Sequence, residues 1–201
     1  MIILTLLGFL KPDRFNYLIN VKMNLLLTDQ KSERLYFRPV EKADYDLWFP
    51  LFKGATVSKF LGMPEGMSQT EQCDYWFKKV WHRYENNLGG MNALIAQETG
   101  EFIGQSGLLI QNIEDKERLE IGYSILPNYW GKGYAQEAAK KCRDFCFENK
   151  LADNLISMMH VDNIASEIVA IKNGMTLEKL VDGFKVFSIT REDWLKLSNH
   201  S

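Results

Sequence analysis

Between Leu119 and Lys150 an alternating apolar pattern, a Gly-x-Gly turn and an amphipathic stripe follow one another, and no other stretch limits the fold as much. Leu119, Ile121, Tyr123 and Ile125 alternate with Glu120, Gly122 and Ser124, the period of a strand with one apolar face and one small or polar face. Pro127 ends the pattern. Beyond the turn, Ala135, Ala138, Ala139, Cys142, Phe145 and Cys146 recur at three- and four-residue intervals, which places them along one stripe of a helix. Gly131 and Gly133 lie between the two, where a missing Cβ lets the backbone bend sharply and a ligand come close. A turn that opens a helix leaves backbone N–H groups without partners at the positive end of the helix dipole, a geometry that binds phosphate. Lys132 adds a mobile cation there. A bare Gly-x-Gly is more often an ordinary tight turn, and it is the Glu-Ile-Gly-Tyr strand just before it that lifts the phosphate reading here.

The segment Asn128-Tyr129-Trp130-Gly131-Lys132-Gly133-Tyr134-Ala135 resembles the acyl-CoA pyrophosphate loop of the GCN5-related N-acetyltransferases (GNAT), whose pattern is Gln/Arg-x-x-Gly-x-Gly/Ala. Asn128 departs from that pattern, which weakens its first residue without touching the backbone donors. Asn163 to Met175 is similar to the Asn-x-x-Ser…Lys-x-Gly-Phe/Met segment of the ribosomal-protein-alanine acetyltransferase branch, and Ser32 to Pro39 is similar to that branch's opening strand. The likeness runs from about Glu33 to Leu197. It implies an α/β GNAT fold, a mixed central sheet of about six to seven strands flanked by helices. It also implies acetyl-CoA as co-substrate and transfer of the acetyl group to a primary amine by direct attack in a ternary complex. A protein N-terminus, a polyamine or an aminoglycoside-like amine would all suit as acceptor. The cofactor-binding positions carried over are Ile125, Leu126, Trp130, Gly131, Lys132, Gly133, Tyr134, Ala135 and Asn163.

The 201 residues, 46% of them hydrophobic, suffice for one compact domain, and a formal net charge of −2 gives no basic balance for nucleic acid. Three cysteines, Cys73, Cys142 and Cys146, are an odd number without metal-ligand spacing to histidine, so the expectation is reduced thiols, no metal and a cytoplasmic location. Met1 to Leu10 is apolar but too short to span a bilayer as a helix, and it lacks the flanks of a secretory signal, so no membrane association is expected. Residues 1–22 read either as an N-terminal extension from an upstream start codon or as an extra packed element. Residues 23–201 read as a single N-acetyltransferase domain. A homodimer is left open.

Arg34 to Val40 reads as an edge strand and Glu41 to Phe52 as a short helix. Ser68 and Glu71 form a capping-box pattern opening a helix to about Asn86, stopped by Gly89-Gly90. Its aromatic residues Trp76 and Trp81, with Trp48 and Phe49, are substrate-pocket candidates, although core packing is the commoner role for such a stripe. Strands follow at Met91–Gln97, Phe102–Ile110 and Glu117–Leu126, with Gln111 to Lys116 as a polar turn. Leu155–Val161, a helix over Asn163–Asn173, a Thr176–Val181 and Lys185–Ile189 hairpin around Asp182-Gly183, and a terminal helix from Arg191 complete the reading.

Acyl transfer from a thioester to an amine requires a neutral amine, donors for the developing oxyanion and a proton for the departing thiolate. Glu120 shares its strand face with Gly122 and Ser124, small neighbours that leave room for a ligand or a water chain, and is the candidate general base through water; a surface carboxylate is the plain alternative. Asn163 begins the second motif helix, where it either caps the helix or hydrogen-bonds the pantetheine arm. Ser166 falls on the same face one turn later, and in the resembled branch this serine sits near the cofactor sulfur. Ala170 stands where many relatives carry a tyrosine; Tyr123 and Tyr134 remain alternatives for the proton donor. Cys142 and Cys146 lie on the apolar stripe without an adjacent histidine, which argues against a covalent route. His160, at a strand end, reads as structural. The turn is not Gly-x-Gly-x-x-Gly, since Gln136 stands at the third position, and no Walker sequence occurs. The non-enzyme alternative is an acyl-CoA-binding sensor on the same fold.

Overall fold

The computed structural model describes residues 25–198; residues 1–22, with the two readings given for them, lie outside that range. Seven strands form one mixed sheet: β1 (Leu35–Pro39), β2 (Gly89–Ala96), β3 (Phe102–Ile113), β4 (Lys116–Ile125), β5 (Asn154–His160), β6 (Thr176–Val181) and β7 (Phe184–Thr190). Their order is β1-β2-β3-β4-β5-β7-β6, with every neighbouring pair antiparallel except β4 and β5. The helices are α1 (Tyr45–Trp48), α2 (Ala55–Phe60), α3 (Gln69–Glu85), α4 (Tyr134–Glu148), α5 (Ile164–Lys172) and α6 (Arg191–Ser198).

Strand alternation sends consecutive residues to opposite faces, and the two cores follow from it. On one face Leu94, Ile103, Ile121, Ile125 and Leu155 pack against Ala138, Ala139, Cys142 and Cys146 of α4, together with Leu25 and Leu27. On the other, Ala93 and Phe102 meet Trp48 of α1 and Cys73, Phe77 and Val80 of α3. A buried Arg143 joins the helices of the first face, its Nη1 donating to the Asn173 carbonyl at the end of α5 at 2.8 Å. No described helix is long and apolar enough to cross a membrane.

Several expected boundaries shift for physical reasons. The single helix expected over 41–52 is instead α1 between two 3-10 turns, Lys42–Asp44 and Phe49–Lys53, because Pro50 lacks the N–H a continuing helix needs and is tolerated only in a first turn. Gly89 and Gly90 do not stop α3; Asn86 ends it, Asn87 turns the chain with φ of +52°, and both glycines lie in β2. A Cβ at Gly90 would come within 2.6 Å of the Tyr84 ring, so the missing side chain serves a close approach and not a helix end. β3 extends three residues beyond expectation, to Ile113, because Glu114 and Asp115 make the turn alone with φ of +50° and +61°. Gln111 is thereby a strand residue.

Candidate active site

β4 and β5 share a single partnered pair, Glu120 with Ile156. Beyond it the strands part. Side chains meet that edge of the sheet in place of a ladder: Ser157 Oγ donates to the Ile121 carbonyl at 3.1 Å, and Tyr123 Oη donates to the Ser166 carbonyl at 2.9 Å. A cavity of ≈ 260 Å³ opens at the parting, walled by β4 from Glu120 to Tyr123, by Ser157 and Met158, by Asn163 just before α5 and Ser166 within it, and by one stripe of α3. Glu120 and Tyr123 project from opposite faces of β4, so the cavity connects the α3 side of the sheet with the α5 side.

Glu120 is buried at 8% exposure. Gln111 Nε2 donates to its Oε2, and the Met158 N–H donates to its Oε1 at 3.3 Å. Arg83 in turn donates from Nη2 to Gln111 Oε1 at 3.1 Å, so a guanidinium orients the amide that orients the carboxylate. Burial raises the Glu120 pKa above the usual carboxylate range, against the opposing pull of Gln111, Met158, Arg83 and Lys79. Gln111 and Arg83 escape the sequence reading because Gln111 looks like a turn residue; the three extra residues of β3 make it a strand residue diagonally across from Glu120. Gly122 lines the cavity beside Glu120, with Leu109 and Met91 close against it. A Cβ at Gly122 would lie 2.7 Å from Leu109 and 3.2 Å from the Met91 sulfur, so the missing side chain is needed for that close approach.

The Gly-x-Gly turn follows β4 directly. Trp130 Nε1 donates to the Ile125 carbonyl at 2.6 Å, folding the loop back onto the strand, while the Leu126 N–H donates to Ile103 at 3.0 Å. Gly131 and Gly133 have φ of +73° and +84°, and Gly133 is the N-cap of α4 with no side-chain cap. The first N–H groups of α4 therefore keep their donors for a ligand. A Cβ at Gly131 would meet nothing within 4 Å. This open cradle of uncapped donors fits a phosphate group.

Arg34 ties the loop to the N-terminal end of β1. Its guanidinium stacks over the Tyr134 ring at 4.4 Å, donates from Nη1 to the Lys132 carbonyl at 3.0 Å and from Nε to Glu137 Oε2 at 2.7 Å. Ser32 Oγ and the Arg34 N–H both donate to Glu137 Oε1 at 2.7 Å. Burial works to raise the Glu137 pKa, but these bonds outweigh it and hold the carboxyl below its ordinary value. The Lys132 ammonium lies 5.3 Å from the Tyr129 ring centre.

Of the other expected residues, Asn163 caps α5, its Oδ1 accepting from the Ser166 N–H at 3.2 Å. Ser166 lines the cavity with Tyr123 beside it, whose hydroxyl burial pushes up to about 12. Tyr134 packs against Tyr129 and Arg34 and does not line the cavity. Trp76 does line it, donating from Nε1 to Gln105 Oε1 at 3.0 Å. Trp48, Phe49 and Trp81 belong to the core on the α3 face and lie outside the lining. Cys142 and Cys146 are buried, with thiols pushed up to about 12 by burial. His160 accepts at Nδ1 from the Asp162 N–H at 3.1 Å and packs against Phe60 and Phe184. No cluster of three His, Cys, Asp or Glu side chains that could hold a metal occurs among the described residues.

Residues 34–176 match the family described as the acetyltransferase (GNAT) domain. The chain belongs to that family and is an acetyl-CoA-dependent acyltransferase by its domain. Among similar proteins, YkkB of Bacillus subtilis (strain 168) is 33% identical over 153 residues, covering 75% of this chain and 86% of the relative. The uncharacterized N-acetyltransferase YoaA of the same organism is 26% identical over 148 residues, covering 74% and 82%. The crystal structure of an acetyltransferase from Agrobacterium tumefaciens str. C58 superposes with a TM-score of 0.68 at 26% identity, covering 81% of this chain and 94% of that one.

Proposed function

We propose that the chain transfers the acetyl group of acetyl-CoA to a primary amine by direct attack in a ternary complex, with Glu120 as base and Ser166 at the leaving group. One observation carries the reading: a single cavity is lined both by the carboxylate of Glu120 and by Ser166 with the Tyr123 hydroxyl, and it opens on the strand that ends in the phosphate cradle. Acetyl-CoA would supply the activated acyl group, its pyrophosphate on the N–H donors of Gly131 to Ala135. Glu120 takes a proton from the acceptor ammonium through water. The amine nitrogen then forms the C–N bond as the C–S bond breaks, a hydroxyl of Ser166 or Tyr123 gives a proton to the departing thiolate, and the second proton shed by the new amide nitrogen returns to that hydroxyl through water while Glu120 releases its own to solvent. The raised pKa of Glu120 brings its proton affinity closer to neutral pH, where a base is most effective. The buried, high-pKa thiols support a route without an acetyl-cysteine.

Initial rates of coenzyme thiol release with a panel of amines, varied against acetyl-CoA, test this reading. Intersecting double-reciprocal lines are expected. Parallel lines with a trapped acetyl-enzyme, or coenzyme binding with no turnover on any amine, would overturn it.

A further inference from the structure

Trp76, Lys79, Val80 and Arg83 fall at intervals of three and four along α3, and all four line the cavity on the Glu120 side. Lys79 and Arg83 are the cations among the described residues of that lining, and Glu120 is its carboxylate. Arg83 is fixed: Nη1 donates to the carbonyls of Leu88 at 3.2 Å and Ile110 at 3.0 Å, and Nη2 to Gln111. Lys79 is an exposed residue at the rim, its ammonium 5.5 Å from the Tyr75 ring centre. Neither makes an ion pair among the described residues. Desolvation and the nearby Arg83 charge lower the Lys79 pKa, and desolvation lowers that of Arg83, in each case against the pull of the Glu120 charge that both cations share. By contrast, the charges flanking the cavity are matched, Lys59 with Asp162 at 2.7 Å and Lys185 with Glu167 at 2.6 Å.

The acceptor end of the site thus carries two cations against one carboxylate. A polyamine entering there would set its second ammonium against Lys79 and Arg83, whereas an amine that also bears a carboxylate would complete the charge balance. Resting on the acetyltransferase reading above, we infer that the acceptor is a small amine bearing a carboxylate, with Lys79 meeting that group at the rim and its amino nitrogen reaching Glu120. The cations are remote from the phosphate cradle: Glu120 precedes Ile125 by five strand residues, roughly 17 Å at about 3.3 Å each. The volume of ≈ 260 Å³ suits a small acceptor beside the thioester end of the coenzyme.

The test compares a panel of amino acids with their carboxamides, and spermidine, by thiol release at saturating acetyl-CoA. A preferred amino acid should exceed its own amide in kcat/KM by on the order of tenfold, the scale of one charge-assisted hydrogen bond. Lys79→Gln should remove most of that preference, and Lys79→Glu should reverse it, through KM for the acceptor and with acetyl-CoA affinity unchanged. Lys79 is exposed and takes part in no hydrogen bond or ion pair among the described residues, its one ring contact being with Tyr75, so both variants should fold. Spermidine or the amides used as well as the acids, or a preference indifferent to Lys79→Glu, would overturn the inference while leaving the acetyltransferase reading intact. A loss of acetyl-CoA affinity in Lys79→Glu would also overturn it, by assigning the cations to the coenzyme. Coenzyme binding without turnover on any amine would remove both readings together.

Discussion

Glu120 is held in a position that costs the fold something and, in the proposed reaction, raises the proton affinity of the base. A carboxyl whose folded-state pKa is raised favours the protonated form in the native state, so its contribution is fully present below the unfolded value and is lost as pH rises through the folded one. Glu120→Gln should therefore melt at a higher temperature than the parent at pH 7 to 8, with the difference vanishing near pH 4, as thermal unfolding across that range would show. The same variant should lose turnover by about a hundredfold, most at low pH where little free amine exists, with partial rescue as pH rises. A pH–rate profile unchanged from the parent would take this carboxylate out of the mechanism. At the leaving group, Ser166→Ala should lower kcat by about tenfold with acetyl-CoA affinity nearly unchanged, and Tyr123→Phe should show which hydroxyl contributes more. Alternation alone put Glu120 on the polar face of its strand, and the motif put Ser166 on the helix after β5; both line the cavity. Gln111 and Arg83 were not legible, because their roles arise only when β3 runs past Ile110 and brings an amide from one strand and a guanidinium from α3 to the same carboxylate.

The turn between β4 and α4 was readable from its glycines, but its anchor was not. Arg34 lies about a hundred residues earlier, and nothing local to it announces a partner in Glu137 or Lys132. Arg34→Ala should raise KM for acetyl-CoA by about two- to fivefold, a modest effect because the exposed ion pair and ring contact are each worth little on their own. Gly133→Val should do more. A β-branched residue at φ of +84° is strained by roughly 1–2 kcal/mol, and its side chain would sit 3.4 Å from the Arg34 guanidinium at the mouth of the cradle. Calorimetric titration with acetyl-CoA checks both; an unchanged affinity in folded Gly133→Val would count against the loop. The hairpins over Glu98–Glu101 and Asp182–Gly183 and the box of Ser68 with Glu71 also came through from sequence, since turn and cap chemistry is local. The 3-10 turns around Pro50 did not, because their apolar residues answer to the α3 packing and not to a period of their own.

As a whole the sheet is two antiparallel groups joined along β4 and β5 by one partnered pair. Bound coenzyme that fills the parting should slow hydrogen exchange at the β5 amides from Ser157 to His160 and raise thermal stability by about 2.7 kcal/mol at a hundred times its Kd. Exchange that slows only at the loop would confine the coenzyme to the cradle. Sequence showed which strands exist but not this seam, since pairing between strands separated by a crossover is set by the packing of α4 and α5 on one face and α3 on the other. The three thiols packed into those faces have a practical corollary: Cys73 is pushed up to about 11, and Cys142 and Cys146 to about 12, with none exposed. The native chain should stay colourless with a chromogenic disulfide reagent, so that every absorbing equivalent appearing during turnover counts one molecule of product coenzyme.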